Sequence, residues 1–191
     1  MKLTIREMIL AALFAALAMV AAVLFRFGAP VVPFSLVPFV MVLSGALLGA
    51  RAGALAMLVY VLLGLTGLPV FEKPPFGGPA YVLQPTFGFL AGYIAGAYVT
   101  GALLPKKKEP GVIRYFLAMA GGLTALYLFG LPYLYLILNF YLGKTFSAWQ
   151  VIKIGFLPFI GFDLLKAAAA TALTRAVSRR LAAPRGKEEG A

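Results

Sequence analysis

Met8-Ile9-Leu10-Ala11-Ala12-Leu13-Phe14-Ala15-Ala16-Leu17-Ala18-Met19-Val20-Ala21-Ala22-Val23-Leu24-Phe25 runs without a charged side chain. A helix needs about 20 apolar residues to cross a hydrocarbon core of roughly 30 Å. The stretch follows Lys2, Arg6 and Glu7 and reaches that order of length. A signal peptide is the competing reading, but a signal core is shorter, about 7–15 residues. Charge-free sequence resumes at once after Arg26, so we expect this first helix to be retained.

The same pattern recurs along the chain. Phe27–Ala50 is apolar, although Pro30 and Pro33 each remove a donor and restrict their predecessors, so its helix is expected from about Pro38. Ala52–Phe71, Thr86–Leu104, the stretch after Arg114 and the stretch from Phe156 follow. We therefore expect an all-α integral membrane protein with six transmembrane helices in a single domain. They are placed at 5–25, 38–50, 52–71, 86–104, 114–138 and 156–181, ahead of a basic tail over 182–191.

Composition supports this class. Apolar residues make up 62% and charged residues only 12%, against about 45–50% and about 25% in soluble domains. A soluble fold of 191 residues could not bury that much apolar surface. Cysteine and histidine are both absent. That excludes disulfides, zinc fingers, thiolate nucleophiles and the Ser-His-Asp triad. No G-x-x-x-x-G-K-[ST] occurs, so the chain carries no ATPase loop of its own. The expectation is a non-enzyme without cofactor or metal.

The net charge of +11 reads as topology. Six spans would gather Lys2, Arg6, Arg51, Lys106, Lys107, Lys108, Arg114, Arg175, Arg179, Arg180, Arg185 and Lys187 on one side. Arg26, Lys73, Lys144 and Lys153 would face the other. The excess of lysine and arginine places both termini in the cytoplasm. The basic clusters can touch anionic lipid headgroups. They border spans and form no aromatic-interleaved patch, so nucleic acid is not an expected partner.

The outward connections, Phe27–Val37, Glu72–Pro85 and Asn139–Phe156, are long and rich in proline, glycine and aromatics. Backbone at such depth must cover protein or line a cavity. We expect an outward-opening cavity beneath them. Asp163 and Lys166 stand three residues apart on one helical face inside the last span. Intramembrane charges are costly and are by default functional. Three readings stay open for them: a structural ion pair, a polar floor for a ligand, or a proton relay. Gln84, Thr86, Asn139 and Tyr81 are further polar candidates, each also capable of simple loop bonding. Phe34, Phe76, Tyr81, Phe87 and Trp149 could wall a pocket or form an interfacial belt. Ala11/Ala15 and Ala12/Ala16 are small-xxx-small pairs that allow close helix contact, within the chain or with a partner.

Val32-Pro33-Phe34-Ser35-Leu36-Val37-Pro38-Phe39, Leu48-Gly49-Ala50-Arg51-Ala52-Gly53-Ala54 and Gly64-Leu65-Thr66-Gly67-Leu68-Pro69-Val70-Phe71 together resemble the BioY family. So do Gln84-Pro85-Thr86-Phe87-Gly88-Phe89 and Leu157-Pro158-Phe159-Ile160-Gly161-Phe162-Asp163-Leu164-Leu165-Lys166. These motifs span nearly the whole chain, short of the tail. The resemblance implies a biotin-binding S-component of an energy-coupling factor (ECF) transporter in a prokaryotic cell membrane. It implies a membrane coupling subunit and two cytoplasmic ATPase subunits as partners, with ATP used only by the latter. It implies that Asp163, Lys166 and Gln84 contact biotin, and that Ala11, Ala12, Ala15 and Ala16 dock on the coupling subunit. The alternatives are another vitamin, thiamin or riboflavin, on the same fold, or an autonomous proton-coupled transporter using Asp163 and Lys166.

Overall fold

The structure is a computed structural model that describes residues 3–28, 35–105 and 110–182. Among them there is no strand. Seven α-helices follow in order: α1 (Ile5–Gly28), α2 (Val37–Leu48), α3 (Ala50–Leu65), α4 (Phe87–Leu103), α5 (Val112–Leu136), α6 (Ala148–Gly155) and α7 (Leu157–Ala182). A 3₁₀ turn, Pro79–Leu83, lies between α3 and α4. A π-helical turn, Ile137–Tyr141, prolongs α5.

Among the described residues, three segments are long and apolar enough to cross a membrane: Ile5–Leu24, Val112–Tyr141 and Leu157–Arg180. The other three expected spans are apolar but shorter. At 1.5 Å per residue α2 extends about 18 Å, α3 about 24 Å and α4 about 25 Å, all under the roughly 30 Å of a hydrocarbon core. The shortness of α2 has a packing reason. It touches α1, α3, α4, α5 and α7, so protein rather than lipid surrounds it. Val37, Pro38, Met41, Val42 and Ser44 on it are all buried. A helix enclosed in this way need not match the thickness of the bilayer.

Local sequence sets several of these ends. Thr4 and Glu7 close a capping box at the start of α1, the Thr4 hydroxyl accepting from the Glu7 N–H and the Glu7 carboxylate accepting from the Thr4 N–H at 2.7 Å. The break between α2 and α3 falls at Gly49, whose φ of 81° favours glycine, rather than at Arg51 as expected. Helix α3 stops at Leu65, six residues short of the expected 71, where Gly67 takes a φ of 109° and Pro69 follows. Glycines on α4 let it approach its neighbours: a side chain at Gly92 or Gly96 would strike α5 backbone at Leu126 or Gly122.

Two of the connections expected to face outward hold more structure than a loop. Ala148–Gly155 is helical because Ser147 accepts from the Gln150 N–H while the Gln150 side chain accepts from the Ser147 N–H at 2.7 Å. Its Trp149 is exposed, with the Lys153 ammonium 5.6 Å from the ring centroid. The loop after α3 is drawn into the core by Phe71, which is 0% exposed and packs against Tyr60 and Tyr81. Its ring lies where a side chain at Gly64 would be. The Gly78 N–H donates to the Gly64 carbonyl at 2.7 Å, which clamps the loop a second time.

Candidate ligand-binding site

Helix α7 turns one face inward: Asp163, Ala167, Ala170, Thr171 and Thr174 are buried at helical spacing. The alanines let the helix come close, and that places a carboxylate inside the protein. Asp163 is 3% exposed. Its two oxygens are held separately. The Lys166 ammonium donates to Oδ1 at 2.8 Å, one helical turn on, and the Tyr127 hydroxyl of α5 donates to Oδ2 at 2.5 Å. Tyr127 is itself fixed edge-on against Phe89 and Phe156, with centroids 6.2 Å and 4.8 Å away. The carboxylate therefore has a set orientation and keeps acceptor capacity on both oxygens. Lys166 keeps two further N–H donors.

This group borders a cavity of about 270 Å³. Leu90, Leu126, Leu134 and Phe159 give it apolar walls, and Tyr60, Tyr81, Tyr93 and Tyr127 add hydroxyl-bearing ones. Ser35 and Thr86 contribute hydroxyls, and Ile154 and Gly155 bring the end of α6 to it. Glu72 and Lys73 reach it from the loop after α3. Few charged groups against a mostly apolar lining is the usual make-up of a small-molecule site.

Of the expected site residues, Asp163, Lys166 and Tyr81 line this cavity. Gln84, Phe87 and Asn139 do not. Gln84 ends the 3₁₀ turn, its N–H bonded to the Tyr81 carbonyl at 3.0 Å. Phe87 packs its ring against Tyr133 instead, 5.8 Å between centroids. The Tyr133 hydroxyl in turn donates to the Val82 carbonyl. Asn139 clasps its own loop, donating to the Tyr135 carbonyl at 3.0 Å and accepting from the Phe146 N–H at 2.8 Å. Phe34 lies outside the described residues. Trp149 and Phe76 are also absent from the lining. The helix 1 alanines divide: Ala11 and Ala15 are buried within the chain at 1% exposure, while Ala12 and Ala16 are exposed. Ala11 and Ala15 thus serve contact inside the fold and are not free to meet a partner.

The sequence reading missed Tyr60, Tyr93, Tyr127, Glu72 and Lys73. The three tyrosines carried a signal. Each lies inside an apolar helix, away from the chain's charged rims, where a buried phenol requires a hydrogen-bond partner that phenylalanine would not. Glu72 and Lys73 carried none, because the sequence does not reveal that Phe71 pulls their loop inward.

The fold and its cavity define a helical membrane protein that encloses a small-molecule pocket. The chain belongs to the BioY family, whose model it matches over residues 1–183. It is 42% identical over 162 residues to the biotin transporter BioY of Thermotoga maritima, covering 84% of this chain and 89% of that protein. To the probable biotin transporter BioY of Lysinibacillus sphaericus it is 39% identical over 167 residues, covering 87% of this chain and 84% of that one. Its fold is similar to the crystal structure of the S-component for biotin from an ECF-type ABC transporter. The TM-score is 0.71 at 21% identity, over 93% of this chain and 95% of that chain.

Proposed function

We propose that this chain is a biotin-capturing S-component that serves an ATP-driven ECF coupling module. The observation that carries the reading is the Asp163–Lys166–Tyr127 group at the edge of an apolar cavity. A ureido ring presents two N–H donors and one carbonyl acceptor. Asp163 offers acceptors for the former and Lys166 spare donors for the latter. The bicyclic body of biotin suits walls of leucine, phenylalanine and tyrosine. The relatives' names as biotin transporters point the same way.

In this reading α2, α3 and α4 complete six spans with α1, α5 and α7. Both termini face the cytoplasm, as the distribution of lysine and arginine favours. The cavity opens outward beneath the loop after α3 and the α6 connection. The exposed Ala12 and Ala16 form the docking surface for the coupling subunit, beside Ile5, Met8, Ile9 and Leu13, which are also exposed. Small residues there allow close backbone approach in lipid, where hydrophobicity does not drive association.

The test is calorimetric titration of the purified chain in detergent with biotin, and in parallel with thiamin and riboflavin. Tight, saturable binding of biotin alone is expected. Binding of thiamin or riboflavin in its place would assign a different vitamin. Proton-driven uptake by vesicles holding only this chain would replace the ECF reading with that of an autonomous transporter.

A further inference from the structure

The cavity contains a second cation that the proposed function leaves unused. Among the described lining residues the basic side chains are Lys166 and Lys73 and the acidic ones Asp163 and Glu72. Their surroundings differ. Asp163 is nearly sealed and Lys166 is committed to it at 2.8 Å, whereas Lys73 is exposed. The two cations therefore mark the interior and the mouth of the same cavity.

A ligand that carries a carboxylate has to place it somewhere along this space. The interior is unsuitable. A second anion beside Asp163 would be repelled at short range, and the Lys166 charge is already neutralised. Glu72, half-buried, offers the same sign of charge. Lys73 remains as the cation that a carboxylate can reach without meeting Asp163. The backbone that carries it is firmly held. The Phe71 N–H donates to the Phe76 carbonyl at 2.8 Å, and the Phe76 N–H donates to the Lys73 carbonyl at 2.7 Å. Phe71 is locked in the core, so the lysine is presented from a preset position with only its own stem to order.

We propose that Lys73 is the carboxylate-reading residue of the cavity mouth, and that the ligand binds with its ureido ring toward Asp163 and its carboxylate toward Lys73. This rests on the biotin reading and adds a direction to it. The tail of the ligand then lies at the exposed end. A neutral tail is accepted with loss of one ion pair at the rim, while changes to the ureido ring are rejected by the interior.

The experiment titrates the full-length protein in detergent with biotin and with biotin methyl ester, in wild type, Lys73→Gln and Lys73→Arg. The wild type should favour biotin over the ester by about fivefold, the scale of a partly exposed ion pair. Lys73→Gln should bring biotin down to the affinity of the ester, and Lys73→Arg should keep the preference. An unchanged biotin-to-ester ratio in Lys73→Gln overturns the assignment while biotin binding itself stands. Equal weakening of both ligands also overturns it, because it would mean that Lys73 acts through the shape of the loop. If the wild type binds neither ligand, the biotin reading fails and this assignment fails with it.

Discussion

Asp163→Asn is the most exacting perturbation of this site, because it removes the charge and reverses one hydrogen-bonding position with almost no change of shape. The side chains are nearly isosteric. With its amide oxygen in the Oδ1 position, the substituted side chain still accepts from Lys166, which donates there at 2.8 Å. Its NH₂ then occupies the Oδ2 position, where Tyr127 donates at 2.5 Å. A phenol can turn and accept instead, so Lys166 and the new amide keep hydrogen-bond partners, while the Tyr127 O–H loses its acceptor and Lys166 its counter-charge. The ligand fares differently. A ureido N–H loses a charged acceptor and meets a donor. A hydrogen bond to a charged group contributes about 1.5–3 kcal/mol, which corresponds to roughly 10- to 150-fold in Kd. The assay is calorimetric titration with biotin, alongside thermal unfolding of the unliganded protein. A variant that remains folded and binds biotin within about threefold of wild type would refute the placing of a ureido N–H on Asp163. The contrasting variant, Asp163→Ala, strips Lys166 of its acceptor and should lower the unfolding temperature as well.

Other outcomes follow from single contacts. Gly64→Ala puts a methyl group where the Phe71 ring lies, and should cost about 1–3 kcal/mol of stability and weaken biotin binding by displacing the loop after α3. An unaltered unfolding midpoint would count against that clamp. Ala15→Trp should destabilise the protein itself, because Ala15 is buried in the chain, whereas Ala12→Trp should leave folding and biotin binding intact and block copurification with the coupling subunit. Normal assembly of the Ala12→Trp protein would remove α1 from the docking surface. Ser147→Ala deletes one arm of the capping box of α6 and should cost about 1 kcal/mol locally, seen as faster amide exchange confined to 148–155. Unchanged exchange there would mean that packing alone maintains the helix.

What the sequence revealed was set by period and charge, and what it hid was set by direction. Charge-free runs located the long helices, since hydrocarbon length and the cost of buried charge act on the chain residue by residue. The three-residue step from Asp163 to Lys166 implied a shared face, and the two do meet. Lengths were harder. The apolar run of residues 52–71 continues past the end of α3, because Leu68, Val70 and Phe71 are apolar for the sake of the loop and not of a span. Turn residues were harder still. Asn139 and Gln84 have the chemistry of ligand contacts, but a side chain at a turn faces wherever the backbone sends it, and Asn139 is turned onto its own loop. Burial likewise separates Ala11 from Ala12 although they adjoin in sequence and share one composition. That difference arises from the helix face that meets α2 and α3.

Helix α6 has a practical consequence. Trp149 is the one tryptophan of the chain, and it shares an eight-residue helix with Ile154 and Gly155, which border the cavity. Every photon of indole emission from this protein thus originates on an element that borders the cavity. Filling of the cavity against the end of α6 is expected to register in the emission of this natural fluorophore, and a fluorescence titration without an attached label checks it.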